Sequence, residues 1–429
     1  MLVKKIAVIG AGYVGITTAA CFANMGHSVT LTDIDQTKLD QLTKGMCPIV
    51  EEGLLDLLFV GVESNRLFFT SSNKEAVSDA DFIFLCLPTP QGKDGTADTS
   101  FIRSVSKEIG PFLRADATVV TKSTVPVGSA AVIEETLGRS DVSVVSNPEF
   151  LREGSAIYDF LHPDRIVIGS KSVHASKRVC DLYEPLAART IITDPSSAET
   201  IKYAANAYLA TKISFINAVA AVCEGVGADV LDVIEGMGSD SRIGKEFLNP
   251  GPGWGGSCFP KDTKALVKIA EIAGYDFALL RGVVEVNQQQ HQRIVEKVLS
   301  FRPQLTGVFR VCALGLTFKA GTDDRRDSPA ISIIQSLMVK GIEVHAYDPT
   351  VSILDNADDL SGIVLHGSSL DAAKNSDVVL LLTEWPEFTA LDPALIGSKM
   401  RTRSVVDARN ILDATQWRSA GFVHIGVGR

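Results

Sequence analysis

The sequence predicts an α/β protein with two parallel-sheet domains, one in each half of the chain, and a helical stretch between them. Three observations carry this reading. Near the start, KKIAVIGAGYVG, a helical segment and GHSVTLTD make an apolar strand, a glycine turn, a helix and a second strand closed by Asp33. The same grammar returns in FRVCALGLTFKAG, a helical segment around Ile331 to Lys340, and GIEVHAYD closed by Asp348. Between them, SSAETIKYAANAYLATKISFINAVAAVCEGVG from Ser196 is rich in alanine and keeps its apolar residues at helical spacing. Apolar strands alternating with helices give parallel sheets covered by helices. SDADFIFLCL near residue 82 also has its counterpart in NSDVVLLLTE near residue 378.

At about 150 residues per domain, the 429 residues amount to roughly three domains or two large ones. Hydrophobic residues at 45% and charged residues at 21% exclude disordered, collagen-like and coiled-coil classes. A net charge of −10 repels phosphate backbones, so no nucleic-acid partner is expected. Cys21, Cys47, Cys86, Cys180, Cys223, Cys258 and Cys312 form no CxxC, and the histidines are scattered. Neither a disulfide framework nor a metal site is indicated, and a reducing cytoplasm is expected. Lys4 and Lys5 ahead of an apolar stretch resemble a secretory signal, but three glycines punctuate that stretch and no clean small-residue cleavage site follows. Apolar runs such as Ile213 to Cys223 fall short of the ~20 residues that span a bilayer.

In chain order, GAGYVG (Gly10 to Gly15) follows a strand and opens a helix. Gly10 permits the tight turn, Gly12 lets a pyrophosphate approach the backbone, and Gly15 lets the helix pack on the strand. The helix N-terminus offers N–H donors to phosphates. Asp33 stands where a dinucleotide's ribose-binding acid is expected, which favours NAD over NADP. Next, SNPEFLREGSA places Glu149 and Glu153 just after the apolar stretch Val142 to Val145, at the carboxyl end of a strand, where open α/β sheets bind ligands. Taken singly, those glutamates read equally well as exposed residues. A long helix of ~40 Å starts near Ser196, with Ser196 and Glu199 as a capping box. On it Lys202 and Asn206 share a face, as residues of a solvated face also would. Helical segments follow at Lys261–Ala273 and near Arg281–Ser300. The chain divides into an N-terminal domain to residue 195, a helical middle to residue 303, and a C-terminal domain from 304.

GPGWGGSCFPKDT (Gly251 to Thr263) is the most unusual stretch. Glycines lead into Ser257 and Cys258, with Pro260 in the first turn of a helix. A thiol ahead of a helix N-terminus and beside Lys261 sits in positive potential, which lowers its pKa; the other six cysteines read as packing. A thiolate that adds to an aldehyde gives a hemithioacetal, whose oxidation yields a thioester for hydrolysis. Such chemistry needs a cation for the oxyanion and a carboxylate for protons.

GAGYVG, KSTVPVG, NPEFLREG, the Lys202/Asn206 helix, NPGPGWGGSCFPKD and LGLTFKAGTDDRRDSP together resemble the UDP-glucose/GDP-mannose dehydrogenases, in the family's order and over nearly the whole chain. The resemblance implies two Rossmann-like, doubly wound domains joined by a long central helix in a dimerisation region. It implies oxidation of UDP-glucose at C6 to UDP-glucuronate with two NAD⁺ and one water, in a homodimer. Carried over, Cys258 is the nucleophile, Lys202 with Asn206 assists proton transfer and the oxyanion, and Thr124 and Asp262 position or activate water. Glu149 is the acid/base of hydrolysis, and Glu153 lies beside it near nicotinamide and sugar. NAD would meet Gly10, Gly12, Tyr13, Val14, Gly15, Asp33, Lys38, Thr89, Thr124, Glu153, Lys261 and Arg326. The sugar nucleotide would meet Phe150, Leu151, Arg152, Asn249, Gly253, Trp254, Gly255, Phe318, Lys319 and Arg409, with Arg242 coming from the neighbouring subunit. Pro88 and Trp254 depart from the family pattern; Pro88 is expected to alter the nicotinamide-side loop and Trp254 to tighten the pocket. GDP-mannose oxidation, a two-electron β-hydroxyacid dehydrogenase and a non-enzymatic NAD-binding module remain alternatives.

Overall fold

The computed structural model describes residues 2–92, 96–302 and 307–429. The chain forms two compact units, Met1–Ala205 with Lys264–Gly274, and Asn206–Thr263 with Tyr275–Arg429. The expected boundary after residue 303 lies outside the described residues.

The first unit holds an eight-stranded sheet of β1 (Lys5–Ile9), β2 (Ser28–Thr32), β3 (Leu67–Thr70), β4 (Phe82–Leu85), β5 (Thr118–Thr121), β6 (Ser143–Ser146), β7 (Ile166–Gly169) and β8 (Thr190–Thr193). Its order is β3-β2-β1-β4-β5-β6-β7-β8. The stretch that resembled a secretory signal is an internal strand, with β1 paired in parallel to β2 and to β4. Side chains alternate across the sheet: Ile6, Val8 and Phe84 join one core, whereas Ala7, Ile9, Ile83 and Leu85 join the other. Both faces are covered by helices, which is why these strands are apolar without a break. β7 and β8 extend the expected sheet, and β7 meets β6 antiparallel at Ser146 and Gly169.

The second unit holds β9 (Arg310–Leu314), β10 (Glu343–Tyr347), β11 (Val364–Leu365), β12 (Val378–Leu381), β13 (Ser404–Asp407) and β14 (Val423–Ile425), in the order β11-β10-β9-β12-β13-β14 with every pair parallel. Read by chain position, this order matches that of the first six strands of the other unit. Both sheets are Rossmann-like, with the order reversing beside β1 and beside β9.

The unit boundary falls inside the helix Pro195–Val226, whose 32 residues make it about 48 Å long. The expected Ser196/Glu199 capping box does not form. Pro195 takes the first turn, where its missing N–H costs nothing. Asp194 ahead of it accepts the Ser197 N–H at 2.9 Å and the Ser197 hydroxyl at 2.6 Å. The other expected helices are Phe259–Ile272 and Ala278–Leu299. Among the described residues Pro195–Val226 is the one helix long and apolar enough to cross a membrane, although no contiguous apolar run suggested it. Its buried Lys202, Asn206 and Asn217 each bond to another protein group.

Candidate active site

In the first unit the dinucleotide turn is shaped by what surrounds it. Gly10 has φ +105°, and a Cβ there would lie 2.4 Å from the Cys86 carbonyl oxygen. At Gly15 a Cβ would lie 1.7 Å from the Gly10 carbonyl oxygen, so helix and turn meet backbone to backbone. A Cβ at Gly12, by contrast, would meet nothing within 4 Å. The protein's own packing does not require that glycine, and the open space is where a pyrophosphate would approach. The helix Tyr13–Asn24 begins there without a side-chain cap and without an acid in its first turn, so its leading N–H groups face outward for an anion. Asp33 closes β2 and accepts the Ala11 N–H at 2.6 Å and the Asp35 N–H at 2.9 Å. A carboxylate has about four acceptor sites, so capacity for a ribose hydroxyl remains. Lys38 lies half-buried on the next helix, and Thr89 is buried after β4. These residues fit NAD.

Past the carboxyl ends of β5 and β6 lie the acid–base candidates. Lys202 Nζ donates to Glu149 Oε1 at 2.8 Å, and the Leu151 N–H donates to Oε2 at 2.6 Å. The two side chains are 4% and 6% exposed. Burial works to raise the Glu149 pKa, but Lys202, the Leu151 N–H and Lys122 together outweigh it and hold the carboxyl below its usual range. Thr124, Pro148, Glu199 and Lys202 line one recess. The Phe150 ring lies under Lys202 Nζ, 5.5 Å away, and under the Arg165 guanidinium, 3.7 Å away. Exposed Arg152 pairs with Asp159 at 2.6 Å.

Two charged residues here were not expected in a site; the sequence suggests Glu199 only as part of a helix cap. Glu199 is buried and accepts the N–H groups of Gly128 at 2.6 Å and Ala130 at 3.0 Å, and the Ser146 hydroxyl at 3.0 Å. Burial pushes its pKa up despite those bonds. Lys122 is also buried, donates to the Tyr183 hydroxyl at 3.1 Å and to Asn147 Oδ1 at 3.3 Å, and is pushed down to about 8 chiefly by burial. The available signal was a charge embedded in a mostly uncharged motif, KSTVPVG for Lys122 and SSAETIKYAAN for Glu199.

In the second unit, the Cys258 carbonyl accepts the Asp262 N–H at 2.8 Å, so Cys258 stands at the start of the helix Phe259–Ile272. Its thiol is half-buried, with Sγ 3.5 Å from Ser257 Oγ. No disulfide links any of the seven cysteines, all of which lie among the described residues. Cys21 and Cys86 are pushed up to about 12 by burial, which makes them inert at neutral pH. Cys47 and Cys180, expected to be packing, are half-buried but do pack against the first unit's core. Asp262 is fully buried and accepts Asn206 Nδ2 at 2.6 Å and Lys261 Nζ at 2.5 Å. Among the described residues no cluster of His, Cys, Asp or Glu is placed to hold a metal ion.

The glycine-rich loop is pinned from below. Trp254 is 7% exposed; its indole N–H donates to Ser214 Oγ at 2.9 Å, and its backbone exchanges bonds with the Asn287 amide. The ring and its backbone therefore anchor the loop to Ser214 and Asn287. A Cβ at Gly255 would lie 2.1 Å from the Asp327 carbonyl oxygen, so loop and segment pass backbone to backbone. Beyond the carboxyl ends of β9, β12 and β13, Arg409 binds the Leu382 carbonyl at 2.8 Å and the Phe318 carbonyl at 3.0 Å, gathering three loops. Lys319 Nζ lies 5.6 Å from the Phe318 ring, and the Arg326 carbonyl accepts the Gly256 N–H at 3.1 Å. Asn249 is exposed, and Arg242, its side chain 87% exposed, pairs with Asp240. Asp348 occupies the place in this sheet that Asp33 has in the other. It is buried and accepts the Leu316 N–H at 2.8 Å, Thr317 Oγ1 at 3.2 Å and Trp385 Nε1 at 3.3 Å. The acid of the second repeat is thus consumed internally.

Residues 4–187, 196–289 and 312–414 match, in turn, the NAD binding, central and UDP binding domains of the UDP-glucose/GDP-mannose dehydrogenases. Fold, glycine turn and family match define an NAD-dependent oxidoreductase. The chain belongs to the UDP-glucose/GDP-mannose dehydrogenase family. It is 44% identical to UDP-glucose 6-dehydrogenase TuaD of Bacillus subtilis (strain 168), over 99% of this chain and 93% of that one. It is also 44% identical to a UDP-glucose 6-dehydrogenase of Rhizobium meliloti (strain 1021), over 99% of each. Among solved structures, a UDP-glucose dehydrogenase from the hyperthermophilic archaeon Pyrobaculum islandicum is 35% identical with a TM-score of 0.92, covering 100% of this chain and 98% of that one. A GDP-mannose dehydrogenase from Pseudomonas aeruginosa is 32% identical with a TM-score of 0.54, covering 99% of each chain.

Proposed function

We propose that this protein is a cytoplasmic UDP-glucose 6-dehydrogenase, which oxidises C6 of UDP-glucose twice to give UDP-glucuronate. The observation that carries the reading is Cys258, a half-buried thiol at a helix N-terminus in a chain whose fully buried thiols are inert packing. NAD⁺ bound at the Gly10–Gly15 turn supplies the hydride acceptor for each oxidation. Lys202 and Asn206 assist removal of the C6 hydroxyl proton and stabilise the oxyanion. Cys258 Sγ adds to the resulting aldehyde, giving a hemithioacetal whose oxidation leaves a thioester. Glu149, held ionised by Lys202, takes a proton from the water that cleaves the thioester and regenerates the thiol; Thr124 and Asp262 position that water. Glu153 lies beside Glu149, near nicotinamide and sugar. Residues 1–195 serve as the NAD domain, 196–303 as the central region and 304–429 as the UDP-sugar domain. The two relatives at 44% identity, both named UDP-glucose 6-dehydrogenase, support UDP-glucose over GDP-mannose.

A homodimer is part of this reading. Tyr208, Phe215 and Val222 are 63%, 52% and 62% exposed, and with Thr211 and Ala218 between them they form a heptad-spaced apolar seam on the helix Pro195–Val226. Such a seam fits a second copy of the same helix. The projecting Arg242 would then reach the neighbour's sugar site. Seven cysteines without a disulfide among the described residues support a reducing compartment.

The test is the NADH yield of wild type and Cys258→Ala with UDP-glucose. Wild type forms two NADH per sugar nucleotide, and the folded variant still binds both ligands but loses sustained turnover by about a thousandfold or more. A variant that makes UDP-glucuronate within about tenfold of the wild-type rate removes the thiol from the mechanism.

A further inference from the structure

Glu51 stands outside every motif discussed so far, in the loop before the helix Leu54–Glu63, and is half-buried in the first unit. Its carboxylate nevertheless accepts bonds on both oxygens at long range. Oε1 accepts the Ala156 N–H at 2.7 Å, and Oε2 accepts the Gly154 N–H at 2.8 Å and the Tyr13 hydroxyl at 2.5 Å. The Tyr13 oxygen also lies 2.9 Å from the Arg152 carbonyl. Tyr13 opens the helix that follows the dinucleotide turn, and residues 152–156 form the turn on which Glu153 is carried. Glu51 thus joins both elements at once, beside the direct Tyr13–Arg152 contact, through partners 38 and 103 to 105 residues away in sequence.

We propose that Glu51 is a positioning residue for the dehydrogenase reaction, its carboxylate fixing the Glu153-bearing turn to Tyr13 beside the cofactor's phosphates. The inference rests on the reading given under the proposed function. Two backbone donors and a phenol converging on one carboxylate fix both the distance and the orientation of the turn, because the accepting oxygens are rigidly paired. Burial, reinforced by Glu51 itself, pushes the Tyr13 phenol well above its usual pKa, so it remains a donor at any working pH. Displacing a catalytic group by about 1 Å costs up to about a hundredfold in rate, which is the scale on which this tie acts.

The experiment compares wild type, Glu51→Gln, Tyr13→Phe and the double variant in two measurements. Backbone hydrogen exchange of residues 152–156, made without substrate, accelerates about tenfold or more in Glu51→Gln, since the glutamine places an N–H₂ against one of its former donors. In steady state, kcat of Glu51→Gln falls about tenfold or more while KM for UDP-glucose stays within about threefold. Tyr13→Phe moves both readouts in the same direction by less, and the double variant loses less than the sum of the two single losses, because both single changes disturb the Tyr13–Glu51 bond. Unchanged exchange in Glu51→Gln, unchanged kcat, or additive losses in the double variant overturns the inference. If wild type forms no NADH from UDP-glucose, the proposed function fails, and the exchange measurement alone decides whether Glu51 holds the turn. Should Glu51→Gln not fold, Tyr13→Phe carries the same two readouts.

Discussion

Replacing Lys202 with methionine leaves Glu149 buried without its ammonium partner. Both side chains are almost inaccessible, so solvent does not screen the loss. Removing one member of a buried pair costs about 3–5 kcal/mol. Here the low end applies, because Glu149 keeps the Leu151 N–H and the nearby charge of Lys122. At about 2–4 °C per kcal/mol for a unit of this size, Lys202→Met melts about 6–12 °C below wild type at pH 8. The sign of the pH dependence inverts. In wild type the folded pKa of Glu149 lies below its unfolded value, so its contribution is present above about pH 4.3 and is lost as pH falls through the folded pKa. In the variant, burial is left largely unopposed and carries the folded pKa above about 4.3, so stability falls as pH rises through it. Differential scanning fluorimetry at pH 5 and pH 8 reads both effects, with Glu149→Gln/Lys202→Met as the control that removes the charge. The gap to wild type narrows at pH 5, and the double variant recovers stability at pH 8. An equal gap at both pH values, or a double variant no more stable than Lys202→Met at pH 8, refutes the reasoning.

Asp33→Ser removes a carboxylate that can hold a ribose hydroxyl and that also ties the turn through the Ala11 N–H. NAD⁺ affinity falls by roughly tenfold to a hundredfold, equivalent to about 1.5–3 kcal/mol, and the preference over NADP⁺ narrows; an unchanged NAD⁺/NADP⁺ ratio in steady-state kinetics removes Asp33 from cofactor choice. Phe215→Glu places a charge at the centre of the exposed heptad seam and shifts the protein to monomer in sedimentation velocity at micromolar concentration. Sedimentation indistinguishable from that of a dimeric wild type shows that the seam does not carry the association.

Both repeats are legible in the sequence because their signals are local. A continuous apolar strand, a glycine turn and a 3.6-residue period each lie within a dozen or so residues, and β1, the helix Tyr13–Asn24 and β2 follow directly from them. The helix Pro195–Val226 is legible for the same reason, but its start is not. In place of the expected capping box, Asp194 caps the helix, and Glu199 is engaged far along the chain. Its partners Ser146, Ala130 and Gly128 lie 53, 69 and 71 residues away. The anchoring of Trp254 is illegible for the same reason, since its indole finds Ser214 at a separation of 40 residues. Nor does any local rule announce β7 and β8 as an extension of the first sheet, since the antiparallel contact of β7 is made with β6 and its parallel one with β8. Lys122 and Glu149 show where chemistry is hardest to read. Both are charged residues whose burial and mutual influence exist only once three strands and the helix above them are assembled.

Asp33 and Asp348 show that one strand order can be put to two uses without altering its topology. In the second unit the acid is already saturated by Thr317 and Trp385, and its helix starts only at Pro329, after the long segment that follows Gly315. A designer wishing to install a second nicotinamide-cofactor site in that unit would therefore gain little by grafting a glycine fingerprint alone. The acid must first be released by substituting Thr317 and Trp385, and the Leu316–Ser328 segment must be shortened until a helix start faces the strand end. Run in the opposite direction, the same logic gives a compact recipe for retiring a dinucleotide site: supply an internal hydroxyl and an indole to the ribose acid, and lengthen the turn.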